Sequence, residues 1–391
     1  MKKRIMRYLM ALALCLTLLS AAAQAADEHT HFLCGGDSCT EVGSHYDTEK
    51  IPFTAWRDST KLPTTQGYYY LTDDVVLDGS NHIPWMPANN TVLCLNGHKI
   101  TMKGDTNVIT VNKDVNFFLT DCKGEGSVYG QITHATGKTG GVLVSSGGKF
   151  YMFGGSITKN KTSSGRVGGG VYVLGAFNLY GGEITDNEAS EGGGVYAAGS
   201  GMFTMSGGSI TGNKANSGNG GNGGGVYMGG SSTFTLSGGA KITGNMADYG
   251  GGVFAKESGK FTMTGGEISG NTAKYNGGGV HRAAGVNGTF TMSGGAKITG
   301  NGANYGGGVY ANSTGAVDMN GGEISGNTAN YGGGVCVEKG AFTMSGGAKI
   351  ANNTATSTGG GVDVRVSGTF TMNGGEITGN GASEGGGVLV D

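Results

Sequence analysis

Two groups of residues in this chain have types and spacings that could carry chemistry. The stretch HTHFLCGGDSCTEVGSH brings His29, His31, Cys34, Cys39 and His45 together. Imidazole and thiolate are favoured zinc donors, but these intervals match no standard structural zinc site. A Cys34–Cys39 disulfide, or neither arrangement, fits the same residues. The second group is His281 and Arg282, which break a repeated pattern, with Asp248 and Glu257 about one repeat away. An imidazole near carboxylates is the material of general acid–base chemistry. Glycoside hydrolysis further needs two carboxyl groups converging on one cleft. The remaining acids, among them Asp186, Asp318 and Asp363, fall at different places in the repeat. The sequence therefore assigns no catalytic residue, no metal and no cofactor. The string GNGGNG at 218–223 fits a dinucleotide-loop expression, but no strand–turn–helix pattern surrounds it.

What positions these residues is a repeat. A glycine run followed by valine recurs at Val142, Val171, Val195, Val226, Val253, Val280, Val309, Val335, Val362 and Val388, with a typical step of about 26 residues. Each unit holds a V-x-V pair, an F-x-M pair and an isoleucine followed three places later by asparagine. Apolar and polar residues alternate, which is the period of a half-buried strand. Three short strands per unit, parted by glycine corners, predict an all-β, right-handed parallel β-helix. One rung buries too little apolar surface to offset the entropy of ordering it, so stacking is the condition of stability.

Three columns follow from the stacking. Asn160, Asn187, Asn213, Asn245, Asn271, Asn301, Asn327, Asn353 and Asn380 form one. Stacked amides can hydrogen-bond from rung to rung, so this column is read as structural. Lys241, Glu267, Lys297, Glu323, Lys349 and Glu376 form the second, alternating in sign, with an extra residue in each lysine rung that reads as a bulge. It is taken as register control. The third is aromatic and double. Tyr172, Tyr196 and Tyr227 are followed by Phe254, His281 and Tyr310, directed outward by alternation, and Tyr249, Tyr275, Tyr305 and Tyr331 precede the glycine corners. Exposed aromatics in a row suit sugar rings or a protein partner, and equally a self-stacking ladder.

Composition excludes other classes. The net charge of -2 over 391 residues argues against a general affinity for nucleic acid or anionic membrane. The 83 glycines lack a three-residue period, so the chain is not collagen-like. Residues 1–25 read as a signal peptide: MKKRIMR, an apolar run, then the small-residue site Ala23–Ala25. Export leaves Cys34, Cys39, Cys94, Cys122 and Cys336, an odd number, so one thiol is unpaired or pairs between molecules. No membrane span is expected in the mature chain. Residues 26–66 form a His/Cys-containing segment, 67–139 irregular first rungs, and 140–391 regular repeats.

The combination of GGGVY with isoleucine-x-x-asparagine, over about Gly140 to Asp391, resembles the repeats of chlamydial polymorphic outer membrane proteins and related adhesins. The front part, with GYYYLTDDVVLDG, LCLNGHKI and FFLTDC, is similar to large exported β-helix proteins of gut Firmicutes. The resemblance implies a secreted or surface protein. Chlamydial members end in a membrane β-barrel, which this sequence lacks. The expectation is thus a secreted or cell-surface, non-catalytic adhesin-type module whose partners are glycans or cell-surface proteins. The alternatives are a polysaccharide-active enzyme of pectate-lyase or glycoside-hydrolase type, and a purely structural spacer. The last residues, GGGVLVD, stop one strand into a new rung. Continuation beyond Asp391, or end-to-end self-association, is therefore expected.

Overall fold

The computed structural model describes residues 29–33, 50–123, 128–135, 138–216, 220–283, 285 and 288–391. Cys34, Cys39, His45, residues 1–25 and Asn219 lie outside them. Among the described residues every regular element is a strand. The isoleucine strands alone form a twelve-stranded sheet, one strand per turn. The molecule is a parallel β-solenoid whose twelve turns, at about 4.8 Å each, span roughly 50 Å.

Three faces correspond to the three apolar motifs. On the valine face, Val142–Val144, Val171–Val173, Val195–Ala197 and their successors pair in parallel, with the register shifting just past the valine triplets at Ala311/Asn312 and Val337/Lys339. On the phenylalanine face, Lys149–Met152, Ala176–Leu179 and Met202–Met205 do the same. On the isoleucine face, Ser156–Thr158 pairs with Glu183–Thr185 and so on to Glu376–Thr378. A fourth, shorter column that the sequence reading had not separated follows each asparagine, as in Thr272–Asn276 and Thr354–Thr358. Its buried residues are alanines, among them Ala189, Ala215, Ala247 and Ala273.

The core is one continuous cluster running along the axis. Phe117, Phe150, Phe177, Phe203, Phe234, Phe261 and Phe290 stack inside it, with centroids 4.6 to 5.5 Å apart. Val317 interrupts the stack, and Phe342 and Phe370 resume it. The inserted residue of the lysine rungs is an inward alanine: Ala240, Ala296 and Ala348 are buried while the isoleucines keep their register. The isoleucine stays inward as expected, but the extra residue is taken up in the turn before the strand and not in a bulge, since these strands pair without a register shift. Lys241, Glu267, Lys297 and Glu323 also stand in register, yet no ion pair closes among them. At this distance their mutual influence is a weak, screened one.

The triple glycine has a steric cause. Gly250 lies at φ +64°, and a Cβ on Gly251 or Gly252 would stand 2.6 Å from backbone atoms of the next rung. The three glycines let neighbouring turns approach closely enough for Gly251, Gly252 and Val253 to donate to Gly277, Gly278 and Gly279.

The stack of parallel strands extends back to Ile51–Trp56, which pairs with Tyr68–Leu71. His29–His31 pairs antiparallel with Ile51–Phe53. This short strap lies against the outward side of the first turns, where His29 meets Tyr70 and Cys122 and the Leu33 carbonyl accepts the Thr120 hydroxyl. At the other end Met372, Val388 and Val390 are exposed. No helix among the described residues is long and apolar enough to cross a membrane.

Candidate functional site

The asparagine column is saturated by its own hydrogen bonds. Asn271 illustrates it. Its Nδ2 donates to the Ile242 carbonyl and to Asn301 Oδ1, both at 2.9 Å. Its Oδ1 accepts from the backbone N–H and from Nδ2 of Asn245, both at 2.9 Å. Two donors and two lone pairs are all used, away from solvent. The full pattern runs from Asn187 to Asn353, and these asparagines have nothing left to offer a ligand. At the first turn Asn160 Oδ1 is buried without a partner among the described residues, and at the last Asn380 donates one bond, to the Ile350 carbonyl.

The aromatic columns differ from each other. Tyr172, Tyr196, Tyr227, Phe254, His281 and Tyr310 do occupy one register line. They point away from the core, but Tyr227, Phe254, His281 and Tyr310 are only 4 to 6 % exposed. The glycine corner folds directly over them: a Cβ on Gly250 or Gly277 would lie 2.7 Å from the Cβ of Phe254 or His281. Tyr196 and Tyr227 stack at 4.6 Å, and burial pushes the Tyr196 hydroxyl up to about 12. Alternation gave the direction of these side chains but could not show what covers them. Tyr172 and Tyr196 remain half-buried.

The corner column is the accessible one, and it is not continuous. Tyr249 pairs in register with Asn276, not Tyr275, because the strand shifts between Ala247 and Tyr249. Tyr275 is displaced outward to 38 % exposure. Its ring lies 5.2 Å from that of Tyr249, tilted, with Lys274 Nζ 4.8 Å from its centroid. Tyr305 and Tyr331 form a second pair, stacked at 4.8 Å. The Arg365 guanidinium lies 4.6 Å from the Tyr331 centroid and 5.2 Å from that of Tyr305. The edge thus carries two half-exposed aromatic pairs, each with a cation on its rings.

Two residues before Arg365 stands Asp363, in register with Cys336. Its carboxylate is buried, 3.8 Å from Arg365 and bonded to the Thr358 hydroxyl. Burial raises the Asp363 carboxyl above its ordinary range and pushes the Cys336 thiol up as well. Sequence reasoning had set Asp363 aside as one scattered acid. Its signal was the change from aromatic to acid within a register line.

The His281–Arg282 group does not form an acid–base site. His281 is buried beside Arg282, and desolvation first, then that cation, push its imidazole down to about 3. Arg282 points inward. It occupies the register line of Ala255 and Ala311, whose small side chains leave it room. Its guanidinium donates to the carbonyls of Ala255, Ala283 and Glu257. The carboxylates lie elsewhere, with Glu257 accepting the Gly230 N–H and Asp248 that of Gly221. Arg282 is a strut for the lengthened corner.

A different cluster forms at the strap. His29 and His31 lie not against a recognised neighbour in sequence but against Cys94 and Cys122 of the first rungs. One ligand atom from each of the four falls within 4.8 Å of every other. His29 Nε2 is 3.5 Å from Cys122 Sγ. His31 Nδ1 bonds the Phe32 carbonyl at 2.6 Å. His29 stacks on Tyr70 at 4.1 Å and His31 on Phe53 at 4.2 Å, so both rings are fixed. Burial pushes the Cys94 thiol up, and its hydrogen bond holds Cys122 below the ordinary thiol range. The surrounding cluster of Leu33, Phe53, Tyr70, Val92 and Phe153 is apolar. Sequence reasoning grouped the histidines with Cys34 and Cys39, which are outside the described residues.

No protein-family model, no curated protein and no solved structure matches the chain.

Proposed function

We propose that this chain is an exported, non-catalytic surface module that holds glycans or proteins along one edge of a rigid solenoid. The observation that carries the reading is the pair of half-exposed tyrosine stacks at the corner, Tyr249 with Tyr275 and Tyr305 with Tyr331, with Lys274 and Arg365 on their rings. Flat, prepositioned aromatic faces bind sugar rings and apolar peptide surfaces at low entropic cost. The cations add recognition of acidic groups. The enzymatic alternative lacks support at its best candidate, since His281 is buried and neutral and Arg282 bonds only carbonyls. The repeat motif, which resembles that of surface adhesins, and the signal-peptide-like start favour a secreted or cell-surface location.

The test is binding of the purified chain to a glycan array and to intact cells, beside a variant carrying Tyr249→Ser, Tyr275→Ser, Tyr305→Ser and Tyr331→Ser. The folded variant, checked by circular dichroism, is expected to lose adhesion. A folded variant that binds as well as wild type would remove the tyrosine edge from the function. Loss of folding would assign the stacks to the scaffold, the spacer reading.

A further inference from the structure

We infer that His29, His31, Cys94 and Cys122 bind one zinc ion that staples the N-terminal strap to the outer face of the first turns. Four donors of the types zinc selects converge from three separate pieces of chain. Around a tetrahedral zinc, with Zn–S of about 2.3 Å and Zn–N of about 2.0 Å, donor atoms stand roughly 3.3 to 3.8 Å apart. The observed limit is 4.8 Å, and His29 Nε2 to Cys122 Sγ is already 3.5 Å. Contraction by at most about 1.5 Å completes the geometry, within the reach of side-chain rotation.

The surroundings fit the ion. His31 Nδ1 is held by the Phe32 carbonyl, which makes Nε2 the ring atom suited to coordinate. Stacking on Tyr70 and Phe53 fixes both imidazole planes before any metal arrives. Binding replaces two thiol protons: Zn²⁺ plus two S–H groups gives two zinc–thiolate bonds and two protons released to solvent. The product carries no net charge, which an apolar pocket can hold without a large desolvation cost. Chain topology gives the site a purpose. His29 and Cys122 are 93 residues apart, and the strap's strand pairs with the solenoid over three residues, beside one hydrogen bond from the Thr120 hydroxyl to the Leu33 carbonyl. A metal bond there closes a long loop across the first turns.

The competing chemistry for the same residues is a Cys94–Cys122 disulfide, and the experiment separates the two. The full mature chain is prepared reduced and metal-free, given zinc, desalted, and analysed for metal and intact mass. Cobalt(II) is added in parallel for its tetrahedral ligand-field and thiolate charge-transfer bands. The expected result is one zinc per chain and a tetrahedral cobalt spectrum. Cys122→Ser and His29→Asn should each reduce retained metal to less than about a tenth, while the Cys34→Ser/Cys39→Ser double variant retains it. Zinc should also slow amide exchange at Thr30 and His31 while leaving Val171–Val173 unchanged, a readout available even if one variant folds poorly. Absence of bound metal would overturn the proposal. So would a chain two hydrogens lighter with Cys94 and Cys122 linked in the mature protein. Metal lost with Cys34 and Cys39 but kept without Cys122 would overturn the ligand set.

Discussion

Replacing Asn271 by alanine tests the ladder at its middle. The side chain makes four hydrogen bonds, and the substitution removes all of them. Not all losses weigh equally. Asn245 Nδ2 keeps its bonds to the carbonyls of Ile210 and Thr243. Asn301 Oδ1 keeps the Asn271 backbone N–H. The Ile242 carbonyl and the Asn245 backbone N–H lose this partner in a place closed to solvent. Each such group costs about 1 to 3 kcal/mol, so the expected loss is about 2 to 6 kcal/mol. Asn380→Ala is the control. Asn380 sits on the last turn, half-buried, where water can replace its donated bond to Ile350 and the two bonds it accepts from the Asn353 N–H and Nδ2. Its cost should stay near 1 kcal/mol. Urea melts followed by circular dichroism, with amide exchange at Asn245, read both. A midpoint for Asn271→Ala that implies less than about 1 kcal/mol, or an Asn245 amide no less protected than in wild type, would refute the claim that the ladder carries stability. Asn271→Asp adds a pH signature. An ionised carboxylate would face the Ile242 carbonyl and Asn301 Oδ1, acceptor against acceptor, so its folded pKa is raised above about 4. A raised carboxyl pKa makes stability increase as pH falls, and acidification should recover part of the loss.

His281 should make the wild type acid-sensitive. Its folded value of about 3 lies below the ordinary 6.5, so the unfolded chain binds the proton first and stability falls as pH drops below 6.5. At pH 5 the difference is about 2 kcal/mol, which His281→Phe, continuing the column of Phe254 and Tyr310, should abolish; equal acid losses in urea melts of both proteins would count against it. Arg282→Ala should cost about 2 kcal/mol or more, by leaving the Ala283 and Glu257 carbonyls without this donor, while the Ala255 carbonyl keeps the Ala283 N–H. Arg282→Lys should recover only part, because an ammonium cannot fork across carbonyls from both sides of the corner; full recovery of the thermal midpoint by lysine would contradict the strut assignment.

The faces, the asparagine ladder and the lysine–glutamate register were legible because the repeat states each of them many times over. Strand alternation shows which way a side chain points, and nine aligned asparagines leave little else for an amide column to be. Alternation is silent on what lies above an outward residue, so Tyr227 and Tyr310 read as surface although the adjoining glycine corner closes over them. The one-residue displacement of Tyr275 was hidden for a similar reason. Counting back from the glycines sees an extra residue at Asn276, but not which of the two keeps the register. The His–Cys cluster was illegible in another way. Cys94 and Cys122 lie in the irregular first turns, with no neighbouring copy to announce their register, and their distance along the chain from His29 and His31 matches no local motif.

The ladder also explains where such a solenoid has room for function. Neighbouring asparagines are 26 residues apart at Asn245–Asn271, 30 at Asn271–Asn301 and 32 at Asn213–Asn245. Their amide contacts nevertheless stay between 2.9 and 3.0 Å. Extra residues are therefore absorbed at the corners without disturbing the stack. From Asn187 to Asn353 the ladder amides are saturated. Among the described residues the departures from the repeat include the shift that turns Tyr275 outward, the Asp363–Arg365 pair beside Tyr331, and the strap over the first turns. A scaffold that separates register from corner length in this way can vary its corners one insertion at a time, because the ladder contacts keep their length whatever the corner holds.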